Sequence, residues 1–168
     1  MDQALPAVTA DPSGVPDYLR YKPLANVAEL KTALSDCQWR TMRVFDQYIK
    51  LAKPMPKLPI VNPPLWEFGH VAWFQEFWVH RRGDIARPSR LSRADALFNS
   101  SVVAHDTRWD LPLPSVPVLR DYLSNVFEDT IQLLGRITLR PDPAALYFIQ
   151  LAIFHQDMHN EAFAYSWQ

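Results

Sequence analysis

Read for its apolar positions, the chain breaks into four periodic stretches separated by proline. From Asn26 onward Leu30, Leu34, Cys37, Thr41, Val44, Tyr48 and Leu51 recur every three or four residues, which is one face of a helix. Asn26 and Glu29 have the spacing of an N-terminal cap pair, and the helix is predicted to end near Lys53-Pro54. A proline-rich connector, residues 54–62, leads to a second helix that opens at Pro63-Pro64, where missing amide donors cost nothing, and runs to about Arg82. Leu65, Trp66, Phe68, Val71, Trp73, Phe74, Phe77 and Trp78 make this helix apolar on every side, so it is predicted to lie centrally.

Residues 83–117 lose the helical period and carry Pro88, Pro112, Pro114 and Pro117, a loop long enough to point to function or disorder. A third helix, capped near Ser115, buries Val118, Leu119, Tyr122, Val126, Ile131, Leu133 and Leu134 and stops around Leu139-Arg140-Pro141. The fourth starts at Asp142-Pro143, an acidic cap followed by proline, and stays apolar through Leu151, Ile153, Phe154 and Phe163 to Trp167. The expected architecture is all-α: a four-helix bundle over residues 24–168, with a long crossover between helices two and three. Residues 1–23, with four prolines, a glycine and no period, are expected to form an extended arm. No capping residue closes the fourth helix, which predicts that the chain is the N-terminal part of something longer.

With 168 residues, 48% of them apolar, the chain can bury a core. Lys and Arg total 17 against 18 acids, so no basic excess exists to neutralise nucleic-acid phosphates or to reach an anionic membrane, and neither is an expected partner. The single Cys37 excludes an internal disulfide and a thiolate-rich zinc site. No leader pattern and no transmembrane run of about 18 apolar residues occurs, and a cytoplasmic setting is predicted.

Any metal must then be held by nitrogen or oxygen, and the histidines are suitably spaced. His155 and His159 are four residues apart and so share a helix face, although the spacing alone does not separate a chelate from two packed histidines. His70 lies in Phe68-Gly69-His70-Val71-Ala72-Trp73-Phe74, where an unpaired imidazole would be costly to desolvate. A core hydrogen bond would satisfy it; an ion shared with His155 and His159 would satisfy all three. Gly69, unfavourable inside a helix, indicates a close approach at that point. Three neutral imidazoles leave an ion its full charge and open positions, and zinc and iron both accept the set. Gln156 stands where HExxH would have its glutamate, which disfavours a zinc-peptidase mechanism. Asp157 and Glu161 are candidate orienting carboxylates or plain solvated charges. His80, beside Arg81 and Arg82, reads as a surface cap of its helix. In the long loop His105, Asp106 and Arg108 are candidate ligand contacts, with Arg108 able to clasp a carboxylate or simply to pin the loop.

Three blocks in order, Pro64-Leu65-Trp66-Glu67-Phe68-Gly69-His70-Val71-Ala72-Trp73-Phe74-Gln75-Glu76, Leu97-Phe98-Asn99-Ser100-Ser101 and His155-Gln156-Asp157-Met158-His159-Asn160-Glu161-Ala162, resemble the DinB-like N-terminal domain of ergothioneine synthases. These are sulfoxide synthases, or hercynine oxygenases, with selenoneine synthase among their relatives. The resemblance implies non-haem iron(II), Fe(2+), held by His70, His155 and His159, and use of O2 to join sulfur or selenium to the imidazole C2 of hercynine. It also implies a C-terminal formylglycine-generating-enzyme-like domain that supplies a catalytic tyrosine; that domain is expected to lie outside these 168 residues, and little turnover is expected without it.

Two departures bear on the substrate. The segment after Leu97-Phe98-Asn99-Ser100 keeps only Arg108 as a basic group, unlike the arginine-rich loop of thiol users. It looks like the loop of selenoneine synthases, which take a selenosugar, and suits a neutral or sugar-like donor. Met158 stands where thiol users often have glutamine, so the trimethylammonium contact is expected elsewhere, with Trp66, Trp73 or Phe154 as cation-π candidates. A DinB-like zinc-dependent thiol transferase and a non-catalytic metal-binding docking domain are the competing readings.

Overall fold

The computed structural model describes residues 25–51 and 55–166; the expected arm, the end of the first helix at Lys53-Pro54 and Trp167 lie outside the described residues. The four expected long helices are present: α1 (Val27–Leu51), α2 (Pro64–Gln75), α4 (Val116–Leu139) and α5 (Pro143–Ser166), with a short α3 (Ala94–Phe98) in the crossover. Among the described residues there is no strand, and the fold is all-α as expected. α1 packs on α5 and α4, and α2 packs on α4 and α5.

The ends follow the sequence signals. Asn26 and Glu29 exchange side-chain bonds to each other's backbone N–H (2.8 and 3.0 Å), a reciprocal capping box. Asp142 Oδ1 accepts from Ala145 N–H at 2.9 Å at the start of α5. α4 does begin after Ser115, but the serine side chain makes no cap bond there, and the turn is set by Pro117 instead. Ten of the twelve residues of α2 are buried, which makes it the central helix.

The apolar interior falls into two clusters. One gathers Phe45, Trp66, Phe68, Val71, Phe98, Leu123 and Phe163; the other gathers Leu30, Leu34, Cys37, Leu134, Ile149 and Ile153. Between the stretches that feed the two clusters lie buried polar residues: Gln38 and Thr41 on α1, Gln75 at the end of α2 ahead of Val79, Thr130 on α4, Gln156 on α5. These residues bond to one another, Gln156 Nε2 to Thr41 Oγ1 and Gln75 Nε2 to Thr130 Oγ1, both at 2.7 Å. Such a layer fixes the axial register of the helices, because sliding one past another would strand buried donors.

Three features depart from the sequence expectation. α2 continues as a π-helical turn, Glu76–His80, a one-residue insertion that apolar spacing does not reveal. The crossover is also ordered. Glu76, 3% exposed, accepts from Tyr122 OH and Ser89 Oγ (both 2.5 Å) and from Arg90 N–H (2.7 Å). Asp95 receives both Arg81 Nη atoms (2.7 and 2.9 Å) and the indole N–H of Trp73 (2.7 Å). α3 and a 3-10 turn, His105–Asp110, sit in this stretch, both too short to produce a readable period. Finally, His80 is not a surface cap: its Nε2 lies 2.8 Å from Thr130 Oγ1. That hydroxyl donates to Val126 O and accepts from Gln75, so His80 is the donor in its own contact.

Candidate metal centre

The middle of the bundle brings His70 on α2 against His155 and His159 on α5. His155 Nε2 lies 3.2 Å from His70 Nε2 and 3.1 Å from His159 Nε2. Ligand nitrogens about 2.1 Å from one ion at roughly right angles stand about 3 Å apart, so each of these two separations suits a pair of cis ligands on one metal. The three are a group of potential ligands with all donor atoms close together.

Which nitrogen is free is decided by the far side of each ring. His70 Nδ1 lies 2.8 Å from the carbonyl oxygen of Phe98, which can only accept, so the proton is on Nδ1 and the Nε2 lone pair faces its neighbours. His159 Nδ1 bonds to the Glu67 carboxylate, with the same result at its Nε2. This carboxylate–histidine pairing is the usual outer arrangement of a metal-bound imidazole. His155 Nδ1 is buried without a hydrogen-bond partner in the structure, and the ring is held instead by stacking on Phe74 (3.6 Å between centroids, 8°). Two lone pairs are fixed toward His155 Nε2, where a single proton can be donated fully to only one of them; an ion would satisfy all three nitrogens, and the donor set fits a metal ion.

Electrostatics agree. Burial, then the neighbouring His159, pushes the His70 pKa down to about 4, and burial with the two other imidazoles pushes His155 down to about 2. Burial alone would raise the Glu67 carboxyl, but its bond to His159, the charge there and the 2.6 Å bond from Asn62 Nδ2 outweigh it and leave it below the ordinary range.

Helical spacing explains the walls. Trp66, His70 and Phe74 follow one another at four-residue intervals on one face of α2, and the Trp66 indole stacks on His70 (4.6 Å, 12°). Gly69, the residue before His70, has no side chain because the Phe98 ring occupies the space where a Cβ would be, 2.2 Å from ring carbons. That contact lets α3 approach closely enough for the Phe98 carbonyl to meet His70.

The orienting carboxylate is Glu67, which apolar patterning passed over. Its signal was available: an acid in an all-apolar helix, one turn before His70. Asp157 and Glu161 do not touch the three histidines. Asp157 accepts from Arg40 (2.5 Å) and Cys37 (3.1 Å) and so joins α5 to α1, while Glu161 is exposed.

The expected substrate contacts are dispersed. His105 and Asp106, with Lys57, Leu58, Pro59 and Trp109, line a cavity of about 510 Å³. Met158 is exposed and borders a smaller cavity, about 130 Å³, that includes Glu67 and His159. Trp73 is buried with its N–H committed to Asp95, and Trp66 is buried too, so of the three aromatic candidates only Phe154, 58% exposed, is open to a ligand. Arg108 is buried, with its guanidinium on Val103 O and Asn62 Oδ1.

An all-α bundle defines the fold class, and comparison with known families agrees with it. Residues 22–162 match the model of the DinB superfamily, and the chain belongs to it. Within that superfamily it is similar to hercynine oxygenases. It is 29% identical over 136 residues to the hercynine oxygenase of Mycolicibacterium thermoresistibile, which is 80% of this chain and 29% of that protein. Those of Mycobacterium tuberculosis (26%) and Mycolicibacterium smegmatis (29%) align over 104 residues, 61% of this chain and 24% of each relative. The chain thus spans less than a third of the length of these relatives. No described helix is long and apolar enough to cross a membrane.

Proposed function

We propose that this chain is the metal-binding domain of a cytoplasmic, non-haem iron(II), O2-dependent enzyme that forms a C–Se or C–S bond at the imidazole C2 of hercynine. The observation that carries the reading is the convergence of the three imidazoles of His70, His155 and His159, on a chain similar to hercynine oxygenases. Iron(II) bound there would supply O2 activation and Lewis acidity through the positions that three neutral ligands leave open.

The protein's own part is positional. Phe98 O and Glu67 hold the Nδ1 protons of His70 and His159 away from the centre. Trp66 and Phe74 cover the rings and exclude water from that side. The exposed Met158 and Phe154 lie on the same helix as His155 and His159, and Phe154 offers a π face to a trimethylammonium group. The internal bonds of Arg108 leave Lys57 as the one lysine or arginine among the described residues that line the cavity at His105 and Asp106, itself paired to Asp110 (3.1 Å). That lining favours a neutral, sugar-like selenium donor over an anionic thiol peptide. The catalytic tyrosine and the remaining contacts would come from a C-terminal domain.

Binding is the readout, because the isolated chain is expected to turn over little substrate. Anaerobic iron(II) loading should reach one equivalent, and hercynine should shift the EPR spectrum of the nitric oxide adduct. Tightly held zinc that resists exchange for iron, with no response to hercynine, would sink the proposal.

A further inference from the structure

Arg108 touches none of the histidines, yet two routes lead from it into the centre. In the first, Arg108 Nη1 donates to Asn62 Oδ1 (2.8 Å), Asn62 Nδ2 donates to Glu67 Oε1 (2.6 Å), and Glu67 Oε2 holds the Nδ1 proton of His159. An amide can present either its oxygen or its nitrogen to a neighbour, and oxygen against a carboxylate is repulsive. The guanidinium, which only donates, fixes the Asn62 oxygen toward itself and hence the amide donor toward Glu67. In the second route, the Arg108 guanidinium lies 3.9 Å over the Trp66 ring, and the same indole stacks on His70. Val103 O takes the remaining bonds, from Nη2 at 3.2 Å and Nε at 3.4 Å. Arg108 is 9% exposed, and a buried guanidinium surrounded by neutral acceptors is costly. Lysine could not replace it, since a point charge lacks the planar fork that reaches Val103, Asn62 and the indole together.

We propose that Arg108 is a positioning residue of the metal centre, orienting Glu67 against His159 through Asn62 and bracing the Trp66–His70 stack, so that the long loop and the metal ligands form one unit. The proposal rests on the metal reading of the three histidines and is independent of iron, oxygen and hercynine.

Cobalt(II) titration of the full chain, followed by visible absorption, tests it with Arg108→Met, Glu67→Gln and the double variant, each checked for helicity by circular dichroism. Arg108→Met should weaken cobalt binding roughly three- to tenfold, less than direct loss of an outer-shell partner, and should alter the ligand-field bands. Because the two side chains share the first route, the double variant should lose less than the product of the single losses. A folded Arg108→Met protein with wild-type affinity and bands overturns the proposal, as do losses that multiply. If Arg108→Met does not fold, Asn62→Ala cuts the first route alone, and unchanged affinity and bands in that variant are equally decisive. Failure of the wild-type protein to bind cobalt removes the metal reading together with this inference; wild-type binding with indifferent variants removes only the inference.

Discussion

Gly69 shows how a single missing carbon shapes the centre. A Cβ there would meet the Phe98 ring at 2.2 Å, and that ring is fully buried among Phe68, Leu97 and their neighbours. Gly69→Ala should therefore destabilise the protein by about 1–2 kcal/mol in urea denaturation. That net figure sets an overpacking cost in the upper part of the usual range, about 2–3 kcal/mol for so close a contact, against a helix-propensity gain of about 1 kcal/mol. An unchanged or raised midpoint would mean that Phe98 yields freely, and that the tight approach of α3 is not what holds its carbonyl on His70. The three histidines were legible in the sequence because His70 is a polar residue in an apolar helix and His155 and His159, four residues apart, share a helix face. Phe98 was not, because its contribution is a backbone carbonyl, a group every residue carries.

The π-helical turn and the α4 face it packs on make an acid-sensitive element. Burial lowers the His80 pKa from 6.5, outweighing the attraction of Asp129 and Glu76, while Arg90 opposes protonation further. A histidine whose folded pKa is depressed binds fewer protons folded than unfolded. Its stabilising contribution is thus complete above 6.5 and is lost as pH falls below it toward the folded value. His80→Gln should flatten the fall in stability between about pH 7 and pH 5, measured by urea denaturation of metal-free protein. His70 and His155 add slope of the same sign in both proteins, so the difference isolates His80. Equal slopes would show that His80 titrates as it does in the unfolded chain. Helix positions and most caps were readable in advance, since periodicity, proline and Asn/Asp caps are local signals. The π turn and the order of the crossover were not, because both depend on Glu76 and Asp95 finding partners far along the chain.

For the molecule as a whole, the centre ties α2 to α5, so a bound ion should stabilise the fold and not merely occupy it. At free metal 100 times its Kd, binding to the native state alone adds about 2.7 kcal/mol, a rise of roughly 5–11 °C in Tm for a chain of this size. Thermal unfolding with cobalt(II) and after chelation checks this, and His70→Ala should abolish the difference. A metal-induced rise that persists in His70→Ala would place the ion elsewhere.

Four helices, their order and the three histidines are written in local patterns, because 3.6-residue periodicity and the cost of burying an imidazole act within a few turns of chain. The identity of the orienting groups, Glu67 and Phe98 O, the partners that Arg108 engages and the polar layer that sets helix register came from packing alone. Each depends on which donor meets which acceptor across elements distant in sequence, and such pairing is settled when the helices assemble.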